Sequence, residues 1–132
     1  MLKILAMAAI LLATAPAWAK DCPVAVRAEG TLDAQEDAIR KAPTCRAAYE
    51  IMEACAYGAG GDTGLGGAVH ERCEPQFLPK LRTAQRRAYN REQKRCDDKY
   101  ARQSGTMYRS FTAFCQAKSA VAYAAKYGAK PK

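Results

Sequence analysis

Val and Ile are scarce, with four of each in 132 residues, and apolar and polar positions almost never alternate, which excludes a β-sheet domain. There is one histidine, one tryptophan and three serines, and no GxSxG, CxxC or CxxCH run occurs. These gaps exclude a serine-elbow hydrolase, thioredoxin-like redox chemistry and c-type haem attachment. No stretch approaches the roughly 20 apolar residues of a membrane-spanning helix. Residues 103–132 contain no Asp or Glu at all, so the acidic residues are confined to the rest of the chain.

What is present begins with a leader. Lys3, the apolar run 4–13 and the small-x-small ending Ala17-Trp18-Ala19 read as a secretory signal peptide over residues 1–19, cleaved after Ala19. Residues 20–132 are then expected to form a single domain with one modest core, too small to hold a cofactor domain, and no cofactor is expected. The destination is the periplasm or the exterior. Cys22, Cys45, Cys55, Cys73, Cys96 and Cys115 all follow the leader, and an even count in a small exported chain reads as three disulfides whose connectivity stays open.

Abundant Ala, Arg, Lys, Glu and Gln point to an all-α fold, a small disulfide-stapled helical domain. A short helix is expected from Asp33, with Glu36 three residues on, until Pro43 stops it. Thr44 caps the next, which runs to about Tyr57 and places Cys45, Tyr49, Met52 and Ala56 on one face. Six glycines in the ten residues 58–67 predict a flexible loop. About two helical turns follow over 68–74, ended by Pro75. From Thr83, a natural cap, a long helix continues to about Arg102, with Leu81, Gln85, Tyr89, Cys96 and Tyr100 inward. Ser104-Gly105-Thr106 turns the chain into a last helix lined by Met107, Phe111, Phe114, Val121, Ala122 and Ala125, and 129–132 is a basic tail. The short turn makes these two helices a C-terminal antiparallel hairpin. Cys96 and Cys115 lie within about one turn of level in it, which permits a bridge between them.

His70 and Cys73 share a helix face, the one arrangement that could supply a base and a nucleophile or half a metal site. In an oxidising compartment Cys73 is read instead as bonded, and zinc lacks two further ligands nearby, so neither a catalytic nor a metal site is expected. Glu50 and Glu53 fall opposite an apolar stripe, where solvated charges belong. The glycine run lacks the GK[ST] ending and preceding strand of a P-loop; its functional reading is a protruding element that enters a partner's cleft.

Charge is unevenly placed. Residues 20–79 have six basic and ten acidic side chains, whereas 80–132 have fourteen basic and three acidic. Arg87, Arg91, Lys94, Arg95 and Arg102 project opposite the apolar stripe of the long helix and form a candidate basic face for anionic lipid, acidic glycan or an acidic protein. Nucleic acid is not expected, because Tyr89 and Tyr100 lie on the apolar stripe and are not interleaved with the cations.

Leu81, Ala84, Gln85 and Cys96, followed by Ser104-Gly105-Thr106 and Cys115, and preceded by Cys45 with Met52-Glu53-Ala54-Cys55, give a spacing that resembles the lysozyme inhibitor LprI-type N-terminal domain family over residues 45–125. Ala88-Tyr89 stands where relatives carry Trp, Glu92-Gln93 where they carry Arg-Asp, and Cys22, Cys73 and the glycine run are additional. The resemblance implies a small exported helical protein that inhibits lysozyme by contact. Common lysozymes are cationic, so the contact is expected from the acidic half: Asp62, Thr63 and Leu65 of the glycine run, with Glu71 and Glu74. The expected function is a binding module and not an enzyme, with lysozyme or another envelope protein as partner; the alternative is an envelope protein that uses the basic hairpin to hold anionic lipid or glycan.

Overall fold

The computed structural model describes residues 21–27 and 29–128; the expected leader and the basic tail lie outside them. The described residues are helical, without strands: α1 (Thr31–Arg40), α2 (Cys45–Cys55), α3 (Asp62–Phe77), a 3-10 turn (Leu78–Lys80), α4 (Thr83–Tyr100) and α5 (Thr106–Tyr127). Helix α3 packs against α1, α2 and α5, and α5 against α4 and α2, so α3 and α5 form the central pair.

Local chemistry explains most helix ends. The Thr44 hydroxyl accepts the Ala47 N–H at 3.0 Å and caps α2, and α1 stops at Arg40, ahead of Pro43. At α4 the Gln85 side chain accepts the Arg82 N–H at 2.8 Å, so Arg82 is the cap and Thr83 the first helical residue. Three disulfides join Cys22 to Cys55, Cys45 to Cys73 and Cys96 to Cys115. The first holds the N-terminal tether to the end of α2, the second staples α2 to α3, and the third closes the hairpin. Three such bonds fit an oxidising compartment.

The glycine run departs from expectation. Only the stretch before Asp62 is a loop; Gly64, Gly66 and Gly67 lie within α3. Packing outweighs propensity here. A Cβ on Gly66 would sit 3.1 Å from the Ala113 Cβ, and one on Gly64 would run into the Glu36 carboxylate, so these glycines let α5 and α1 approach the α3 backbone. Helix α3 also continues through Pro75 to Phe77, where an end at Pro75 was expected.

Helix α5 turns a different face inward than its large side chains predict. Ser110, Ala113, Ala117, Ala120 and Ala124 are buried, whereas Met107, Phe111, Ala122 and Ala125 are exposed; Phe114 and Val121 are half-buried against the core. The close approach to α3 admits only small side chains. Bulk in the core comes from the other elements: Phe77, Ile39, Met52, Leu65 and Val69 are the largest apolar side chains fully removed from solvent, each contributing about 1.5–3 kcal/mol.

Candidate binding surface on the helical hairpin

Helix α4 has two chemically opposite sides. Inward, Tyr89 and Cys96 are buried, as is Leu81 between the 3-10 turn and α4; outward, Arg87, Arg91, Lys94 and Arg95, with Arg102 just past the helix end, are all exposed, as the spacing predicts. Lys94 pairs with Asp98 at 2.6 Å one turn on. Among the described residues, no carboxylate lies within ion-pair distance of Arg87, Arg91, Arg95 or Arg102. These four guanidiniums therefore keep their donors for an external anion.

Helix α5 holds this surface still. Besides the Cys96–Cys115 bond, the Gln93 side chain donates to the Gln116 carbonyl at 3.2 Å and the Gln116 side chain donates back to the Gln93 carbonyl at 3.4 Å. Gln116 also donates to Asp97 at 2.9 Å, and Ser119 donates to Glu92 at 3.0 Å. Of the three acidic residues on α4, Asp97 and Glu92 are thus occupied by α5, and Asp98 by Lys94.

The expected acidic contact set is not one surface. Asp62 is fully buried: one carboxylate oxygen accepts the Tyr57 N–H at 2.7 Å, the other the Gly58 N–H at 2.9 Å and the Ser110 hydroxyl at 2.6 Å. It closes the loop before α3 and ties it to α5, so it has nothing left to offer a partner. Leu65 is fully buried in the core. Both are corrections to the loop reading, with one cause: the segment is helical and packed. Thr63 and Glu71 are exposed on α3, but Glu71 pairs with Arg40, which also holds Glu36 and Asp37.

Glu74 is half-buried and engaged, accepting the Tyr89 hydroxyl at 2.8 Å and lying 2.9 Å from His70 Nδ1. The hydrogen bond from His70, with that from Tyr89 behind it, holds the Glu74 carboxyl below the ordinary carboxylate range. Burial and the neighbouring Glu74 push the Tyr89 phenol far above its ordinary value, so it stays protonated as a donor. His70 thus meets Glu74 and Tyr89, while Cys73 is fully buried and bonded to Cys45. With no free thiol on any cysteine, a Cys–His nucleophile pair is excluded. His70 also lines a cleft of about 400 Å³ together with Thr63, Asp97, Arg109 and Gln116.

Spacing on α4 placed the basic residues correctly. It missed Arg109, which is exposed on α5 and lines the cleft beside Asp97 and Gln116; the acid-free run from residue 103 was the available signal. No protein-family model matches the chain, and no curated protein or solved structure is found similar to it.

Proposed function

We propose that this chain is an exported, non-catalytic binding module whose α4–α5 hairpin docks on a polyanionic surface of the cell envelope. The observation that carries the reading is the row of exposed guanidiniums at Arg87, Arg91, Arg95 and Arg102, unpaired among the described residues and mounted on a helix that is cross-linked to its neighbour. Long-range attraction from such a face raises encounter rates with anions and is screened by salt. The sequence of residues 1–19 supports a leader cleaved after Ala19 and a periplasmic or secreted destination.

The test is retention on heparin beads and on phosphatidylglycerol vesicles as salt is raised. Binding is expected to fall steeply over a few hundred millimolar salt, and an Arg87→Gln, Arg91→Gln, Arg95→Gln variant is expected to lose at least about tenfold in affinity while its melting curve stays within about 0.5 kcal/mol of the parent. Salt-insensitive binding, or a triple variant that binds as well as the parent, overturns the reading.

Lysozyme inhibition is the second reading. It is supported by the resemblance in cysteine and turn spacing and by the acidic balance of the first half, with Thr63 and Glu71 the exposed members of the expected contact set. Cell-wall lysis by a chicken-type lysozyme, with and without an excess of oxidised protein, checks it. Undiminished lysis eliminates it.

A further inference from the structure

The large apolar side chains that α5 keeps out of the core gather at one place. Tyr100 at the end of α4 and Tyr108 and Phe111 in the first turns of α5 form a three-ring cluster with centroids 6.1, 5.7 and 5.9 Å apart. Met107 beside them is 47% exposed and Phe111 41%. None of these four belongs to the hydrophobic core or packs against it, so the cluster is held by its own ring contacts and by the hairpin turn, in which Gly105 takes φ 112°. Lys99, Arg102 and Arg109 stand exposed around it, and no Asp or Glu occurs anywhere in residues 99–132. The nearest acidic residues in sequence, Asp97 and Asp98, are occupied by Gln116 and Lys94.

We infer that the hairpin tip is a membrane-interface anchor: Met107 and Phe111 enter the acyl boundary of an anionic phospholipid bilayer, Tyr100 and Tyr108 sit at headgroup depth, and Lys99, Arg102 and Arg109 meet the lipid phosphates. The inference rests on the polyanion reading and specifies its partner. Charge complementarity selects an anionic surface. The exposed Met and Phe then distinguish the kinds of anionic surface, because a soluble acidic glycan offers nothing to a thioether or a phenyl ring, whereas a bilayer takes both apolar tips and flanking cations. Tyrosine rings prefer the headgroup level, where one end is apolar and the other wet. Neither signal holds a protein on a membrane alone; the two together do.

The experiment compares the oxidised protein, as purified after export, on three probes: vesicles of phosphatidylglycerol with phosphatidylcholine, vesicles of phosphatidylcholine alone, and heparin. A Met107→Ser, Phe111→Ser variant, altered only at exposed positions, is expected to lose on the order of tenfold in affinity for the anionic vesicles, to bind heparin like the parent and to keep the parent's cooperative melting curve, which reports that it is folded. A Phe111→Trp variant, read as the difference in emission from the parent, is expected to shift to the blue on anionic vesicles and to be quenched by lipids brominated along the acyl chain. Equal vesicle binding by the serine variant, or a tryptophan that neither shifts nor is quenched, overturns the anchor while leaving polyanion binding intact. Loss of binding to anionic vesicles and heparin alike by the parent itself overturns both readings.

Discussion

The α1–α3 half and the α4–α5 hairpin divide the work of a small protein unevenly. The first half supplies the largest fully buried apolar side chains, two of the three disulfides and the buried carboxylate of Asp62. The hairpin buries Tyr89 and a stripe of small residues and places its cations, Met107 and Phe111 outside. The lesson is that stability and surface chemistry are separable here. Changes in the first half are expected to act on folding, and changes on the outer hairpin on binding.

The sharpest way to break this contrast is to remove one staple from each half. By loop length alone the Cys45–Cys73 and Cys96–Cys115 bonds, with separations of 28 and 19 residues, differ little. Replacing the first pair by Ala is nevertheless expected to cost more, about 4–5 kcal/mol against about 3, because Cys45 and Cys73 both belong to the hydrophobic core cluster and leave a void there, whereas Cys96 lies outside it and Cys115 is only half-buried. Denaturant midpoints decide it, and equal losses would erase the distinction. Next in size, Asp62→Ala should cost about 3 kcal/mol, since two N–H groups and the Ser110 hydroxyl lose their acceptor. Asp62→Asn, which keeps one acceptor oxygen, should cost less; an Ala variant as stable as the parent would mean that the loop needs no closure.

The glycines of α3 offer an internal control. Gly67 has open space where a Cβ would go, so Gly67→Ala should stabilise by up to about 1 kcal/mol through helix propensity. Gly66→Leu, forced against Ala113 and Met52, should destabilise by about 1–3 kcal/mol. Thermal melts in which both variants were stabilised would show that helix propensity, not close packing, governs this segment.

The smallest effect is a pH dependence. The folded-state pKa of Glu74 lies below its ordinary value of 4.5, held there first by His70. Its contribution to stability is therefore fully present above 4.5 and is lost as pH falls through the lowered folded pKa. Glu74→Gln should leave a stability curve that declines less on acidification, and a difference between the two proteins that widens below pH 4.5 would contradict the assignment.

Some of this was legible in the chain. The outward cations of α4 and the inward Tyr89 and Cys96 followed from the helical repeat, and Thr44 announced the start of α2, because these are local effects of one helix. The face of α5 and the helix in the glycine run were not legible. Large apolar residues ordinarily mark an inward face and glycine ordinarily ends a helix; both rules yield where two helix backbones meet closely, as α3 and α5 do at Gly66 and Ala113. The candidate contacts Asp62 and Leu65 fell with the loop that was to carry them.

By itself the sequence determined helical secondary structure, cysteines enough for three disulfides and a cationic second half, because composition, periodicity and charge are additive along a chain. Only the tertiary structure decided which cysteines meet, that Asp62 is buried and shared, and that Met107 and Phe111 remain at the surface. Those outcomes depend on which side chains fit between neighbouring helices, a property of pairs of elements that no single segment carries.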